Sequence, residues 1–183
     1  YGAWSGATTP AGKYALGVSY KAYLTEKSAR APMVYIGAND GMLHGFDASA
    51  VSGGAERLAF IPVAAREHLF QLANPNYSHR YYVDGGITVS DVPTTATGDW
   101  RSVLVGSTGA GGTSIFGLDI SNPTSFDATN VRWELNGANQ SDLGYVLGKP
   151  VIVPVNVGGA PRWVALFGNG VNSSSGYPVL FAV

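Results

Sequence analysis

The stretch that decides the fold is Met33–Asp47, MVYIGANDGMLHGFD, in which a short apolar run ends at Gly37 and a polar turn leads into a second run. The first run, Val34–Ile36, is β-branched and aromatic without interruption, which is typical of a strand covered on both faces. The Asp40-Gly41 pair supplies the left-handed backbone that a tight turn needs. The stretch therefore predicts a β-hairpin.

The same pattern recurs twice further along the chain, at Ser102–Asp119 (SVLVGSTGAGGTSIFGLD) and at Trp163–Val183 (WVALFGNGVNSSSGYPVLFAV). In each case the first apolar run ends at a glycine, Gly106 or Gly168, before a polar loop. Because these glycines mark the point where the strand leaves the sheet, we expect a valine at either position to destabilise the fold. A repeated hairpin of this kind indicates a repeat architecture.

Further strands are expected ahead of the second and third hairpins, in Tyr81–Val92 and Gly144–Val157. A unit of about four short strands is the blade of a β-propeller. The sequence therefore predicts an all-β fold, with about three blades of a larger, quinoprotein-like propeller over residues 33–183 and a lead-in segment over residues 1–32.

Three blades are too few to close a ring, since propellers have at least about four. The chain also begins without a methionine, at Tyr1, and stops at Val183 inside an expected strand. We therefore expect it to be a fragment of a larger protein.

Two short helices are expected to interrupt the strands. Gly17–Arg30 precedes Pro32 and carries residues at helical spacing, namely Tyr20, Tyr23, Leu24 and Lys27. Ala64–Ala73 follows Pro62 and carries apolar residues on one face, namely Ala65, Leu69 and Leu72. Apolar recurrence of this period favours an amphipathic helix.

The composition of the chain argues against several classes of function. The net charge is −1 and no Lys/Arg block is present, which argues against nucleic-acid binding. The absence of cysteine excludes disulfides and thiolate metal sites. No apolar run approaches the roughly 20 residues that span a bilayer as a helix.

The three histidines, His44, His68 and His79, show no spacing typical of a metal site, so packing and hydrogen bonding are expected of them. His79 lies next to Ser78 and close to Asp84, but neighbours in a strand point to opposite faces and no G-x-S-x-G elbow is present. We therefore expect His79 and Asp84 to satisfy backbone groups ahead of a strand rather than to catalyse a reaction.

Three other features allow both a functional and a structural interpretation. The Gly109–Gly112 run lacks the following helix and the lysine of a phosphate loop, so a flexible hairpin loop is expected. Asp47 and Asp119 recur at the ends of hairpins, where they are expected to accept backbone N–H groups, a metal role being the alternative. Five aromatic residues are expected to pack between blades, with adhesion as the alternative, namely Tyr77, Tyr81, Tyr82, Trp100 and Trp163.

Six blocks of sequence resemble the PilY-type family of type IV pilus biogenesis and tip-adhesin proteins, in the order found in that family. The blocks are VYIGANDGMLHGFDA (Val34–Ala48), AFIP (Ala59–Pro62), NPNYSHRYYVDGG (Asn74–Gly86), WRSVLVGSTGAGGTSIFGLDISNP (Trp100–Pro123), LGYVLGKPVIV (Leu143–Val153) and LFGNGVNSSSG (Leu166–Gly176). The resemblance covers the chain from about Lys21 to its end.

The resemblance implies an exported protein at the pilus tip, the cell surface, the outer membrane or the periplasm. It implies roles in pilus extension, twitching motility and attachment, with minor pilins or other tip components and host-cell or surface receptors as partners. It also implies calcium binding by an Asp-rich loop in the full-length protein. No D-x-[DN]-x-[DN]-G run is present here, so that loop is expected beyond residue 183.

We expect no catalytic residue, cofactor or metal within this chain, and we expect it not to be an enzyme. The rival interpretations are a fragment of a quinoprotein-like dehydrogenase propeller and a generic outer-membrane scaffold propeller. The residues expected to matter are structural positions at turns and blade corners, namely Gly37, Asp40, Gly41, Asp47, Asp84, Gly106, Asp119 and Gly168.

Overall fold

The chain was described from a computed structural model that covers residues 10–95, 98–158 and 160–183, with side chains from residue 18 onward except at 160 and 161. Two α-helices are described, α1 (Pro10–Lys27) and α2 (Val63–Arg66). The strands are β1 (Met33–Gly37), β2 (Leu43–Asp47), β3 (Glu56–Phe60), β4 (Ile87–Pro93), β5 (Trp100–Ser107), β6 (Ser114–Asp119), β7 (Val131–Asn136), β8 (Val151–Val157), β9 (Ala160–Gly168) and β10 (Leu180–Ala182).

The strands form three antiparallel sheets, in the orders β1-β2-β3, β4-β5-β6-β7 and β10-β9-β8. Each sheet contains one of the hairpins expected from the sequence, and neighbouring strands follow one another along the chain. Within the described residues the three sheets do not close into a ring. The prediction of an all-β partial propeller is therefore confirmed, and the sheets are called blades 1, 2 and 3 below.

Two apolar interfaces hold the blades together. Between blades 1 and 2 the core is built from residues of both sheets and of the connection between them, including Leu43, Leu58, Tyr82, Leu104, Phe116 and Leu118. Between blades 2 and 3 it includes Val105, Ile115, Val146, Ala165 and Phe167. Successive residues of β5 and β6 thus alternate between the two cores, as side chains on opposite faces of a sheet must.

Only blade 2 is covered on both faces among the described residues. Every residue of β6 is buried, whereas Val34 and Ile36 of β1 are 53% and 52% exposed. The expectation that Val34–Ile36 is covered on both faces is therefore wrong for this chain. The reason is positional: blade 2 has a neighbouring blade on each side, and blade 1 has one on one side only.

The first expected helix is present but differs in its bounds. Helix α1 begins at Pro10, a residue favoured in the first turn, and ends at Lys27 rather than at Arg30. Its last turn closes with the Ser28 N–H donating to the Leu24 carbonyl at 2.9 Å.

The second expected helix, Ala64–Ala73, is divided into α2 and a short 3₁₀ helix at Leu69–Ala73. The break falls at His68, whose backbone φ is −122° and whose carbonyl accepts the Tyr82 hydroxyl at 3.0 Å. Ala65 is fully buried, but Leu72 is 38% exposed, so the three apolar residues do not share one buried face.

The strands expected upstream of the second and third hairpins begin later than the sequence indicates. Of Tyr81–Val92 only the part from Ile87 is strand, and of Gly144–Val157 only the part from Val151. The preceding residues, 81–86 and 144–150, are not strands. They form the connecting segments that lead into β4 and β8, and their backbone bonds to the hairpin loops of the blades.

Candidate functional site

The corner aspartates of blades 1 and 2 have the role expected from the sequence. The Ser49 N–H donates to Asp47 Oδ1 at 2.8 Å, and the Ser121 N–H donates to Asp119 Oδ1 at 3.0 Å. A β-bulge precedes each aspartate, in the pairings of β2 with β3 and of β6 with β7. The repeated Gly-x-Asp sequence therefore marks a structural corner, where the carboxylate satisfies the backbone that leaves the sheet.

Each corner carboxylate is also paired with an arginine. Arg57 lies 3.3 Å from Asp47, and Arg101 lies 2.6 Å from Asp119. Hydrogen bonds from Ser49 and Ser52 hold the pKa of Asp47 far below its ordinary value. Burial alone would raise the pKa of Asp119, but hydrogen bonds from Ser121 and Arg101 outweigh it and lower the pKa. Both aspartates are therefore ionised at neutral pH.

His44 lies between two carboxylates on the open face of blade 1. Its Nδ1 is 2.5 Å from Glu56 Oε1 and its Nε2 is 2.9 Å from Asp40 Oδ2. Burial alone would lower the pKa of His44, but the two hydrogen-bonded carboxylates outweigh it and raise the pKa. Asp40 has a second role in the hairpin turn, where its Oδ1 accepts the Met42 N–H at 3.0 Å.

The expected turn residue Gly41 has φ +99°, which confirms the left-handed position in the first hairpin. Gly37 is required by close packing, because a Cβ there would lie 2.3 Å from the Val83 carbonyl oxygen. At Gly106 a Cβ would lie 2.9 Å from the ring of the buried Phe116.

Gly168 differs from the other two landmark glycines. It is exposed, and a Cβ there meets nothing within 4 Å in the part of the chain described. The expectation that Gly168→Val destabilises the fold therefore loses its physical basis, since no neighbour crowds the position.

The Gly109–Gly112 run is not the flexible loop expected from the sequence. Gly109–Gly111 forms a buried 3₁₀ turn, and a Cβ on Gly111 would lie 1.9 Å from the Tyr82 carbonyl oxygen. Gly109 and Gly111 are explained by close approach to the 81–86 connecting segment, and Gly112 by close approach to Ala64 of α2.

The connecting segment joins the loops of blades 1 and 2. The Val83 N–H donates to the Ala38 carbonyl of blade 1 at 3.3 Å, and the Asp84 N–H donates to the Thr108 carbonyl of blade 2 at 3.2 Å. Asp84 thus contributes through its backbone, and the role expected of its side chain and of His79 stays a prediction. The segment before blade 3 is similar, since the Gly144 N–H donates to the Asn169 carbonyl at 2.8 Å.

Sequence reasoning missed Asp91, which anchors α1 to blade 2. The Asp91 side chain is 7% exposed, with Lys27 Nζ at 2.6 Å and the Ser102 hydroxyl donating at 2.7 Å. The Tyr20 hydroxyl donates to the same carboxylate at 3.2 Å. An aspartate at an ordinary strand position carried no motif that could have revealed this contact.

The aromatic candidates divide by location. Tyr82 and Trp100 are buried. The centroid of the Trp100 ring lies 4.4 Å from the centroid of the Tyr20 ring. Tyr82 lies in the core between blades 1 and 2, as expected, whereas Trp100 packs against Tyr20 and Tyr23 of α1 instead of between blades. Tyr77 and Tyr81 are 39% and 48% exposed and lie on the surface. Trp163 is partly buried beside the cavity between blades 2 and 3.

Within residues 10–95, 98–158 and 160–183, no group of three or more His, Asp or Glu side chains is arranged to hold a metal ion. The two carboxylates at His44 bind opposite nitrogens of one ring and do not converge on a point. In the same residues no helix is long and apolar enough to cross a membrane.

Three comparisons identify relatives. The family model described as the PilY1 β-propeller domain matches residues 7–177. A type IV pilus biogenesis factor PilY1 homologue of Xylella fastidiosa is 50% identical over 167 residues, which are 90% of this chain and 11% of that protein. The type IV pilus biogenesis factor PilY1 of Pseudomonas aeruginosa UCBPP-PA14 is 38% identical over 90% of this chain and 14% of its own length.

A solved structure is also similar. The crystal structure of the Pseudomonas aeruginosa PilY1 C-terminal domain superposes with a TM-score of 0.70 at 35% identity, over 92% of this chain and 32% of that one. The chain thus spans about a third of that domain and a much smaller part of the curated relatives.

Proposed function

Because the chain belongs to the PilY1 β-propeller family, we propose that it is a structural and interaction module of a type IV pilus biogenesis factor and acts in pilus assembly. The observation that carries the proposal is the family match over residues 7–177, which includes blades 1 and 2 and strands β8 and β9 of blade 3. The matching family is a propeller of a pilus biogenesis factor and not a known class of enzyme.

The structure supports a scaffold role through its continuous packing. Leu104 and Phe116 of blade 2 pack toward blade 1, while Val105 and Ile115 of the same strands pack toward blade 3. A blade held on both faces is a rigid platform for loops that contact partners. We place this module in an exported protein at the cell surface or on the pilus, with minor pilins and other tip components as its partners.

The test is deletion of the natural gene followed by complementation. We expect the deletion to abolish surface pili and twitching, and the natural gene to restore both. Leu104→Asp places a charge in a fully buried site, so it should fail to restore them because the propeller does not fold. Val51→Asp, at a side chain that is 98% exposed, is the matched control and should restore both. Normal piliation in the deletion strain would refute the proposal.

A finer proposal is that the parent protein is a tip adhesin that supports pilus extension, twitching and attachment to surfaces or host cells. The connection between blades 1 and 2, residues 61–86, exposes aromatic side chains suited to such contacts. Phe70 is 72% exposed and Tyr77 is 39% exposed. Replacing Phe70, Tyr77 and Tyr81 by serine should reduce attachment while surface pili persist. Unchanged attachment would exclude this surface.

Calcium is proposed for the full-length protein only, in a loop beyond residue 183. The described side chains offer no cluster for it. Calcium titration of the full-length protein, with and without its segment after Val183, should locate the binding outside this chain. Binding retained without that segment would contradict the proposal.

A further inference from the structure

We propose that His44 is a proton-controlled latch for the tip of the first hairpin, residues 38–41, which is called the hairpin tip below. With a proton on both ring nitrogens, His44 holds the hairpin tip against the connecting segment 81–86, and loss of one proton releases the tip. The latch is a property of the fold around blade 1 and is independent of the role in pilus assembly.

The first observation is that both ring nitrogens of His44 face a carboxylate. Nε2 lies 2.9 Å from Asp40 Oδ2 of the hairpin tip, and Nδ1 lies 2.5 Å from Glu56 Oε1 of β3. An ionised carboxylate accepts hydrogen bonds but donates none, and a neutral imidazole has a single N–H to donate. The imidazolium therefore satisfies both contacts, whereas the neutral ring sets an unprotonated nitrogen against one of the carboxylates.

The groups around the ring leave these two carboxylates in control of its charge. The residues paired with His44 are Ile36 on β1 and Ala59 on β3, and neither titrates. Among the described residues, the charged groups that face the ring are thus Asp40 of the hairpin tip and Glu56 of β3. Burial lowers the pKa of His44, but the hydrogen bonds to Glu56 and Asp40 outweigh burial and raise that pKa.

The second observation is that Asp40 connects the ring to the backbone of the turn. Its Oδ1 accepts the Met42 N–H at 3.0 Å, while its Oδ2 contacts His44. The Asp40 side chain is 48% exposed, so solvent is available to it when the contact with the ring is lost. Because one carboxylate bridges the ring and the turn, breaking its bond to the ring loosens the hairpin tip.

The third observation is that the hairpin tip bonds to the connecting segment through long hydrogen bonds. The Tyr82 N–H donates to Asn39 Oδ1 at 3.2 Å, and the Val83 N–H donates to the Ala38 carbonyl at 3.3 Å. The same carbonyl accepts the Gly41 N–H, which closes the turn, at 3.4 Å. All three distances reach or exceed about 3.2 Å, the upper end of the usual range for such bonds. Contacts of this length are weak, so a small change in the turn is enough to open them.

The direction of the effect follows from linkage. The hairpin tip closes more favourably on the protonated ring, so closing raises the affinity of His44 for its proton by the same factor. That advantage is complete below the open-state pKa of about 6.5 and is lost as pH rises through the raised, closed-state pKa. The latch is therefore closed in mild acid and loosened in alkali.

The latch acts next to a surface that exposes aromatic side chains. A Cβ on Gly41 of the hairpin tip would lie 2.2 Å from Leu69 Cδ2, and Phe70, the next residue, is 72% exposed. Tyr81, which is 48% exposed, directly precedes the two amides that bond to the hairpin tip. Release of the tip removes contacts beside both aromatic residues, so this surface is more ordered in mild acid than in alkali.

The test is hydrogen exchange at single-residue resolution on the natural full-length protein, at about pH 5.5 and about pH 8.5. Rates are expressed as protection factors, which remove the intrinsic effect of pH on exchange. We expect protection of the Tyr82 and Val83 amides to be at least ~3-fold lower at the higher pH. The Asp84 and Gly85 amides bond to carbonyls of blade 2 and should stay within ~1.5-fold. Unchanged protection at all four amides, or an equal fall at all four, would overturn the proposal.

A matched pair of variants provides the second arm. In Asp40→Asn the side-chain NH₂ can donate to the unprotonated Nε2 of a neutral ring, while the amide oxygen can still accept the Met42 N–H. We therefore expect Asp40→Asn to keep its protection at Tyr82 within ~1.5-fold between the two pH values. Asp99→Asn makes the same change at an exposed residue between β4 and β5, and it should retain the wild-type pH dependence. A fall in Asp40→Asn as large as that in wild type would overturn the proposal, because the contact with Asp40 would then not be the trigger.

Discussion

Asp47 and Asp119 occupy equivalent corners of two successive blades, and each carboxylate accepts the N–H of the residue two positions later. Each also faces one arginine, and their side chains are 3% and 6% exposed. The Gly-x-Asp repeat that is visible in the sequence is thus the repeat of a buried hydrogen-bonded corner.

Removing the Asp119 carboxylate should destabilise the protein. In Asp119→Ala the Ser121 N–H loses its acceptor and Arg101 loses its partner, which should lower the free energy of unfolding by about 1–3 kcal/mol. Urea denaturation measures this directly. Asp119→Asn is the control, because its amide oxygen can still accept from Ser121, so it should lose less. Equal stability of wild type and Asp119→Ala would show that the corner is not a stabilising contact.

The same corner predicts how stability changes in acid. Because the pKa of Asp119 is lowered on folding, its contribution is fully present above the unfolded-state pKa of about 3.9 and is lost as pH falls through the folded-state pKa. The stability advantage of wild type over Asp119→Asn should therefore be constant from about pH 7 to 5 and shrink below about pH 4. Denaturation midpoints for the two proteins across this range test it. An advantage that grows toward low pH would contradict the assignment.

The ion pairs of His44 predict a dependence of stability on pH that is opposite to that expected for Asp119. Its pKa is raised on folding, so its contribution is fully present below the unfolded-state pKa of about 6.5 and is lost as pH rises through the folded-state value. At pH 5.5 the free energy of unfolding of wild type should exceed that of His44→Gln by about 0.2–1 kcal/mol for each of the two ion pairs. At pH 9 the difference should be smaller.

The control for His44 is the Asp40→Asn/Glu56→Gln double variant, which keeps the ring and removes both charges. Its stability should be much less dependent on pH between about 6 and 9, and high salt should reduce the wild-type effect because the carboxylates are about half exposed. A histidine that titrates at its ordinary pKa in the wild-type protein, measured by NMR, would disprove the interaction.

The landmark glycines should respond differently to the same substitution. Gly106→Ala places a methyl group 2.9 Å from the fully buried Phe116 ring, so overpacking should cost about 1–3 kcal/mol. Gly168→Ala meets open space and should change stability by no more than about 0.5 kcal/mol. Thermal melting of the two variants gives the comparison. Similar losses at both positions would show that Gly168 is crowded in the natural protein.

The sequence predicted the blades because the hairpin signals are local. Apolar runs, a glycine at the end of each run and the Asp40-Gly41 turn all act within about 15 residues of one another, and they place all three hairpins correctly. The position of strand starts depends on distant contacts instead. Residues 81–86 have a strand-like composition, yet they bond to the loops of two blades and so leave the sheet.

The candidate site was predicted unevenly for the same reason. The corner aspartates repeat along the chain, so pattern alone identified them. His44 was expected to pack and to form hydrogen bonds, but its two partners lie on a turn and on another strand, and no spacing rule connects the three. The Gly109–Gly112 run predicts a flexible loop from sequence alone, because the segment that covers the turn at Gly109–Gly111 comes from residues 82–85, outside the hairpin.

Asp91 gives the last prediction, which concerns the attachment of α1. The carboxylate accepts from Lys27, Ser102 and Tyr20, and the Tyr23 hydroxyl lies 2.7 Å from the Ser102 hydroxyl in the same cluster. Loss of these bonds in Asp91→Ala should cost about 1–3 kcal/mol and release the helix from blade 2. Chymotrypsin should then cleave after Tyr20 and Tyr23 roughly ten- to a hundredfold faster, since cleavage follows the population of the open form.

Glu26→Ala, at a side chain of the same helix that is 73% exposed, should leave the cleavage rate unchanged. Equal cleavage of Asp91→Ala and wild type would show that the aromatic packing of Tyr20 on Trp100 is sufficient to hold α1, and that the buried carboxylate is not its anchor.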